Sequence, residues 1–297
     1  MEKINKGELL YLKRKANWLR RTVLEMAVKG KSGHVTTAFS LAELFVALYH
    51  GKILNFDSEN PQWENRDRFI LSEGQAGLGL YPVLADVGFF PLKDLDNFLG
   101  EESTLGVHSE PHTKGIDVLT GSLGHGLPIA TGMADSAKLD GKSWLTICLT
   151  GDGELYEGSN WEAMLTARRL GLNNLVLIVN RNHQFTIGFT DSCETQRDVY
   201  MDPLPEKFQA FGFETRTANG HSFPEIFKAL SSIRGRNSSK PLAVLMETIK
   251  GKGASAIEGK RGWHYKVPTG EILEAVMAGL REEEQKLEAQ ALKGGAL

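Results

Sequence analysis

The sequence predicts an α/β fold in three layers, αβα, in which helices cover both faces of a mostly parallel β-sheet. Apolar runs of strand length alternate along the chain with segments whose apolar residues recur at helical spacing. Such alternation is typical of a parallel sheet, because each strand is joined to the next by a crossover helix. We find no internal repeat and no low-complexity linker, so one domain over 1–297 is expected.

The expected strands are short apolar runs. Arg68-Phe-Ile-Leu-Ser72 and Leu175-Val-Leu-Ile-Val179 are apolar without alternation, which is typical of strands buried on both faces. The others are expected at 144–150, 213–218 and 242–248.

Helices are expected from apolar spacing and from signals at their ends. Residues 8–29 carry apolar positions at helical spacing, and Gly30 would end that helix. Ser40 is a candidate N-cap for a helix over 44–48, because Glu43 stands three residues after it, as in a capping box. Further helices are expected from the first strand through Ala85 and over 124–138, 161–170, 223–233 and 269–292.

The stretch 101–120 has no apolar period and is expected to be a loop; it contains His108 and His112, and His125 follows it. A loop this long inside a compact domain is commonly functional. A lone histidine is nevertheless more often a hydrogen-bonded polar residue than a catalytic one. That interpretation is favoured for His50, His112, His183 and His221.

Composition and charge exclude several classes of protein. The formal net charge is -3 and no segment is strongly basic, so a nucleic-acid partner is not expected. No apolar run reaches the roughly 18 residues of a membrane helix, and the first residues lack the apolar core of a signal peptide. Cys148 and Cys193 have no metal or redox spacing, so a cytoplasmic protein without disulfides is expected.

An aspartate between two glycines, in LTGDGELYEGSN, follows the strand at 144–150. Ligands of parallel α/β sheets bind beyond the carboxyl ends of the strands, and Asp152 stands at such an end. The next strand leads to Asn182, 30 residues after Asp152. If the two strands are neighbours, a carboxylate and an amide oxygen converge, which suits Mg²⁺ together with phosphate oxygens. Gly151 and Gly153 would let the backbone approach such a phosphate.

A second explanation of Gly-Asp-Gly is a turn in which Asp152 caps the following helix, and the tripeptide alone supports both explanations equally. In either arrangement the positive end of the next helix favours an anion nearby. The asparagine after a second apolar strand favours the metal site.

Gly-Asp-Gly followed after about 30 residues by Asn, with apolar strands before both, is similar to the signature of thiamine diphosphate enzymes. The segment GDGELYEGSNWEAMLTARRLGLNNLVLIVNRN resembles transketolases. The same resemblance is carried by KSGHVTTAFSLAELFVALY (31–49), NRDRFILSEGQAGLGLY (65–81), GIDVLTGSLGHGLPIATGMADSAKLDG (115–141) and ETIKGKGASAIEGKRGWHYKVP (247–268). It covers nearly the whole chain in order, and it implies the thiamine diphosphate-binding fold of the family's N-terminal domain.

The resemblance implies thiamine diphosphate as cofactor, with Mg²⁺ or, in its place, Ca²⁺ or Mn²⁺. The implied metal ligands are Asp152, the side chain of Asn182 and the backbone carbonyl of Gln184. Gly153 is implied beside the diphosphate.

The resemblance also implies which residues face the reacting centre. Gly121 and Leu123, in TGSLG, match residues at the aminopyrimidine and thiazolium rings of the cofactor. His34 in SGH, His108 in the long loop and His264 in GWH match histidines on the substrate side. Imidazoles that titrate near neutral pH could move protons on substrate hydroxyls while a two-carbon ketol unit passes from a ketose to an aldose.

A partner chain is implied as well. Transketolases continue into a pyrimidine-binding domain and a C-terminal domain, and this sequence ends where the first domain ends. The resemblance therefore implies the N-terminal subunit of a split transketolase, active only with a second chain, in an α2β2 assembly. Glu157 and Glu162 match glutamates at the subunit interface that link paired active sites.

Other functions remain compatible with the sequence. Deoxyxylulose phosphate synthesis and 2-oxoacid decarboxylation use the same cofactor, but SGH and TGSLG favour a transketolase over both. A non-catalytic subunit that keeps the fold is a further alternative, against which intact Asp152, Asn182 and Gly153 argue.

Four positions depart from the usual transketolase pattern on the substrate side. Gln75, in SEGQ, replaces a histidine that contacts the diphosphate and the substrate; it can donate a hydrogen bond but cannot carry a charge. The others are His125 for a glutamine, Ile187 for an aspartate and Tyr265 for a glycine. A specialised sugar or sugar phosphate substrate is one explanation of these changes, and neutral drift is the other.

Overall fold

The computed structural model of the chain describes residues 4–186 and 188–294, in which helices flank both faces of a five-stranded sheet. The strands are β1 (Arg68–Leu71), β2 (Thr146–Gly151), β3 (Leu175–Arg181), β4 (Glu214–Asn219) and β5 (Leu242–Glu247). Their order across the sheet is β1-β2-β3-β5-β4, and every neighbouring pair is parallel. The predicted fold class is therefore confirmed, as are the predicted strands.

The helices of the described residues are α1 (Lys6–Gly30), α2 (Val35–Ser40), α3 (Ala42–Tyr49), α4 (Gly77–Asp86), α5 (Gly126–Leu139), α6 (Gly158–Arg169), α7 (Leu204–Ala210), α8 (Phe223–Ala229) and α9 (Gly270–Gly294). Each predicted helix is present, although α8 ends four residues before the predicted residue 233. The prediction missed α2 and α7, which have 6 and 7 residues and are too short to show a helical period.

The predicted N-cap at Ser40 is wrong. Ser40 is the last residue of α2, and its hydroxyl donates a hydrogen bond to the Thr37 carbonyl at 2.8 Å. Glu43, the expected partner in a capping box, instead forms a buried ion pair with Arg20 at 2.7 Å. The next helix, α3, begins at Ala42 without a side-chain cap.

Side chains of the central strands alternate between two hydrophobic cores, one on each face of the sheet. In β2, Ile147 and Leu149 belong to the core that includes α1 to α4, α8 and α9, whereas Cys148 belongs to the core that includes α5 to α7. Each fully buried aliphatic side chain of this size contributes about 1.5–3 kcal/mol. Burial on both faces explains why the strand sequences are apolar without alternation.

The carboxyl ends of the strands lie along one edge of the sheet, because all strands are parallel. Glu73, Asp152, Asn182 and Lys250 follow the ends of β1, β2, β3 and β5 respectively. Since β2 and β3 are direct neighbours, Asp152 and Asn182 lie on adjacent connections. The sequence predicts that Asp152 and Asn182 converge if their strands are neighbours, and this condition is met.

Residues 101–120 form no helix or strand, as predicted. This loop is fixed to α4, because the Tyr81 hydroxyl donates to the His108 carbonyl at 3.1 Å. It is fixed to β1 as well, because the Thr120 hydroxyl donates to the Leu71 carbonyl at 2.5 Å. These bonds hold the loop at the carboxyl edge of the sheet.

Both cysteines are free, Cys148 in the core and Cys193 at the surface, as the sequence predicts. None of the described helices combines the length and the apolar character needed to cross a membrane.

Candidate active site

A cleft with a volume of about 350 Å³ opens at the carboxyl edge of the sheet. It is lined by most of the residues that the sequence singled out: His34, Gln75, His108, Gly121, Leu123, Asp152, Gly153, Glu157, Asn182, Gln184 and His264. Glu162, another candidate, is exposed on α6 and does not line the cleft. The structure thus brings the candidate metal ligands and the candidate substrate-side histidines into one cleft.

Asp152 is buried at the centre of the predicted metal site, with 1% of its surface exposed. Its Oδ2 accepts hydrogen bonds from the His183 backbone N–H at 2.8 Å and from the Thr190 hydroxyl at 2.7 Å, and its Oδ1 accepts one from the Gly153 N–H at 2.9 Å. No ion pair to this carboxylate occurs within the described ranges. Burial raises the pKa of Asp152 to about 6. A buried carboxylate without a cation is costly, so this position fits an added metal ion.

Asn182 and Gln184 supply the other oxygens of the predicted site. Asn182 Oδ1 accepts a hydrogen bond from the Gln184 N–H at 3.1 Å, which leaves its second lone pair for another ligand. The described residues contain no cluster of three His, Cys, Asp or Glu side chains suited to a metal. The available set of carboxylate, amide and carbonyl oxygens fits a hard cation such as Mg²⁺, which takes its remaining ligands from phosphate and water.

Gly153 permits close packing beneath this site. A Cβ at Gly153 would lie 2.4 Å from the Cβ of Phe185, a separation too short for any real contact. A larger residue would push the segment that carries Asn182 and Gln184 away from the end of β2.

His34, His108 and His264 form a cluster in the cleft, which we call the histidine cluster. The ring centroids of His34 and His264 are 5.1 Å apart, and those of His34 and His108 are 5.8 Å apart. The Lys250 ammonium, which can only donate, lies 2.9 Å from His264 Nδ1. The neutral His264 ring therefore carries its proton on Nε2, which lies 3.4 Å from the Thr186 hydroxyl.

Burial lowers the pKa of all three imidazoles in the histidine cluster. The pKa of His34 falls to about 3, through burial first and then through His264, His108 and Lys250. Burial and then Lys250 lower the pKa of His264 to about 4, and burial lowers the pKa of His108. At neutral pH these rings are uncharged, so each can donate one hydrogen bond and accept another.

Glu73 and Lys250 also line the cleft but were not among the predicted site residues. Burial lowers the pKa of Lys250 to about 8. Burial and the neighbouring Glu154 carboxylate raise the pKa of Glu73 well above its ordinary value. Both residues stand just beyond the carboxyl end of a strand, which is the signal that could have identified them.

The histidines expected to be merely hydrogen-bonded lie outside the cleft and contact carboxylates. His50 lies 3.1 Å from Asp86, His112 3.3 Å from Glu110, His183 2.9 Å from Asp191 and 3.0 Å from Glu247, and His221 3.0 Å from Glu43.

Of the positions that depart from the usual pattern, His125 is exposed at the start of α5, and Ile187 lies outside the described residues.

Comparisons with known proteins give the family. The family described as "Transketolase, thiamine diphosphate binding domain" matches residues 12–274. One subunit of the apulose-4-phosphate transketolase of Actinobacillus succinogenes is 38% identical over 275 residues, which cover 92% of this chain and 96% of that protein. The 6-deoxy-6-sulfo-D-fructose transketolase subunit SqwG of a Clostridium species is 37% identical over 273 residues, which cover 92% of this chain and 97% of that protein.

Longer transketolases match over the same region. Human transketolase is 38% identical over 265 residues, which cover 89% of this chain and 41% of that protein. The crystal structure of transketolase from Campylobacter jejuni superposes with a TM-score of 0.81 at 30% identity, over 93% of this chain and 45% of that one. The chain thus spans less than half the length of these two proteins.

All of these relatives are named transketolases, which supports the transketolase prediction over the deoxyxylulose phosphate synthase, 2-oxoacid decarboxylase and non-catalytic alternatives. The two relatives that this chain covers almost completely are named as subunits. The chain belongs to the transketolase family of transferases and corresponds to its N-terminal, thiamine diphosphate-binding subunit.

Proposed function

We propose that this chain, together with a separate partner protein, transfers a two-carbon ketol unit from a ketose to an aldose. The observation that carries the proposal is one cleft in which the oxygen ligands around Asp152 meet the histidine cluster. When bound, thiamine diphosphate supplies the carbanion chemistry of this transfer. The residues of this chain supply orientation, hydrogen bonds and proton transfer.

The proposed cofactor contacts follow from the charges in the cleft. Asp152, the Asn182 side chain and the Gln184 carbonyl would hold Mg²⁺, with Ca²⁺ or Mn²⁺ as substitutes. Lys250 would contact the diphosphate, because it is the one lysine or arginine among the described residues that line the cleft. Gly121 and Leu123 would lie against the cofactor rings.

The histidine cluster would orient the substrate. A neutral imidazole presents one donor and one acceptor, which matches a sugar hydroxyl group. An anionic diphosphate nearby would stabilise the protonated rings and so raise their pKa values. Proton transfer at substrate hydroxyls would then become accessible to His34, His108 and His264 near neutral pH.

The proposed partner carries the pyrimidine-binding and C-terminal domains, while residues 1–297 act as a single diphosphate-binding domain. Support comes from apolar side chains exposed around the cleft, among them Leu123 and Tyr156. Glu157, exposed in the cleft, and Glu162 on α6 would lie where two such pairs join. An α2β2 assembly follows from the general preference for two-fold symmetry, and a cytoplasmic location agrees with two free cysteines.

The substrate is proposed to be a specialised sugar or sugar phosphate. The names of two relatives mention apulose 4-phosphate and 6-deoxy-6-sulfo-D-fructose. Co-purification of the chain with its partner, followed by a screen of ketose donors and aldehyde acceptors, tests the proposed function directly. Absence of ketol transfer with every pair would contradict it.

The affinity for thiamine diphosphate is expected to fall as the pH rises above about 8. The pKa of Lys250 is lowered to about 8, so its ammonium pairs with the diphosphate below that pH and is neutral above it. The expected loss is about tenfold per pH unit, until the pH exceeds the pKa of the bound form, which the anion raises. Calorimetric titrations of the complex from neutral pH to about pH 9 would measure this.

Lys250→Met keeps the length of the side chain and removes its charge, so it should bind the cofactor weakly and without this pH dependence. Lys29→Met, at an exposed position on α1, is the matched control. If the affinity of the Lys250→Met complex for thiamine diphosphate keeps the wild-type pH dependence, a group other than Lys250 causes it.

Gln75→His is expected to change the preference among ketose donors. The imidazole would add a group that can carry a charge next to the diphosphate and the substrate, and a hydrogen bond to a charged group contributes about 1.5–3 kcal/mol. The measurement is kcat/KM for each accepted donor, in parallel with Gln75→Ala, which removes the amide without adding a titratable group. Unchanged rates and preferences in Gln75→His would make Gln75 a product of drift.

A further inference from the structure

Tyr265 lies against the histidine cluster and covers one side of it. Its ring centroid is 4.6 Å from that of His34, at an interplanar angle of 41°. His264, the preceding residue, packs edge-on against His34 with the ring centroids 5.1 Å apart. His34 is thereby covered, with 8% of its surface exposed, while Tyr265 itself is 54% exposed.

Two contacts hold Tyr265 in this position. Its hydroxyl lies 2.6 Å from Ser32 Oγ, and Ser32 follows Lys31, the left-handed residue that ends α1. The backbone close to Tyr265 is tied to α2, because the Thr36 hydroxyl donates to the Trp263 carbonyl at 2.8 Å. A ring held both at its hydroxyl and near its backbone keeps a fixed place against His34.

Tyr265 is not itself among the residues that line the cleft, but its ring lies against His34, which is. The lining around His34 offers little to an anionic substrate group. Lys250 is the one lysine or arginine among the described cleft residues, and its ammonium is bonded to His264 Nδ1. Gln75, where a charged residue could have contacted the substrate, is an amide. A surface of uncharged imidazoles and a phenol ring suits the hydroxyl groups and C–H faces of a polyol.

We propose that Tyr265 is a specificity-determining residue, which limits the substrate beside His34 to an unbranched, uncharged hydroxyaldehyde or ketose end. The proposal rests on the proposed function, because it names the part of the transferred sugar that this chain recognises. Tyr265 acts by steric exclusion, so its effect appears as a difference in kcat/KM between small and bulky substrates.

The test compares Tyr265→Ala, Tyr265→Phe and Ser32→Ala in complex with the partner protein, with one unphosphorylated ketose as the ketol donor. The acceptors are unphosphorylated 2-hydroxyaldehydes of increasing length and branching. Tyr265→Ala is expected to raise kcat/KM for the bulkiest acceptors relative to the smallest by about tenfold or more. Tyr265→Phe and Ser32→Ala each remove only the hydrogen bond between the two side chains, so they should show the same smaller shift.

Equal changes in kcat/KM for all acceptors in Tyr265→Ala would overturn the proposal. So would a loss of partner binding without a change in selectivity, which would make Tyr265 an interface residue. A wild-type complex that transfers no ketol unit to any acceptor would overturn the proposed function instead. Selectivity is a ratio within one variant, so a partly unfolded preparation does not alter it.

Discussion

Replacing Asp152 with alanine is expected to abolish Mg²⁺-dependent binding of thiamine diphosphate, with a loss of affinity of at least about a hundredfold. The change leaves Asn182 and the Gln184 carbonyl, two neutral oxygens, to hold a divalent cation beside a diphosphate. Calorimetric titration of the assembled complex, with Mg²⁺ and with a chelator, measures the effect. Asp140→Ala, at the exposed end of α5, is the matched control. If Asp152→Ala binds thiamine diphosphate with unchanged affinity in Mg²⁺, Asp152 is not a metal ligand.

The pH dependence of Mg²⁺ binding offers a second test of Asp152 as a metal ligand. The pKa of Asp152 is raised to about 6, so below that pH the proton competes with the metal, and Mg²⁺ affinity should fall about tenfold per pH unit. The folded pKa of Asp152 lies above the ordinary value of 3.8, so the folded state binds this proton more tightly than the unfolded state. The corresponding stability is present at low pH and is lost as the pH rises from 3.8 to about 6. Asp152→Asn should flatten both dependences.

The convergence of Asp152 and Asn182 could be predicted because it depends on local signals. Each follows an apolar run of strand length, and the ends of parallel strands share one edge of the sheet. The order of the strands was not predictable in the same way, since β5 lies between β3 and β4 although β4 precedes it in the chain. That crossover depends on how helices pack on the two faces, which no single strand sequence reveals.

Lys250 and Glu73 were missed because their place in the cleft depends on burial, a property of the assembled fold. In the sequence, a lysine in IKGKG and a glutamate in SEGQ are of types that usually lie at the surface. The N-cap prediction at Ser40 failed for a related reason. Every residue of α2 and α3 is buried, so packing sets their boundary at Leu41 and overrides the local capping preference.

The isolated chain is expected to transfer no ketol unit at a measurable rate, and addition of the partner protein is expected to restore turnover. Leu123 and Tyr156, which line the cleft, are 37% and 68% exposed, and nearby Leu119 is 58% exposed. Exposed apolar groups around a polar cleft mark a surface that a second protein covers. The resemblance to transketolases places the glutamate that activates the aminopyrimidine in the pyrimidine-binding domain. Positioned proton transfer alone accelerates a reaction by about 10²–10⁴-fold, and correct orientation of the reactants adds more. The isolated chain would lack both contributions.

Light scattering and a turnover assay, each with and without the partner, measure this dependence. Leu119→Arg, two residues before the cleft residue Gly121, should weaken partner binding by about tenfold or more. Leu92→Arg, at a 51% exposed position in a segment that contributes no residue to the cleft, should not. Ketol transfer by the chain alone would show that its cleft is complete and would contradict the two-subunit proposal. Wild-type assembly and turnover in Leu119→Arg would instead place the partner on another face. The histidine cluster belongs to this chain whichever outcome is found. Turnover by the chain alone therefore tests whether the cleft needs a partner, and the Leu119→Arg result tests where the partner binds.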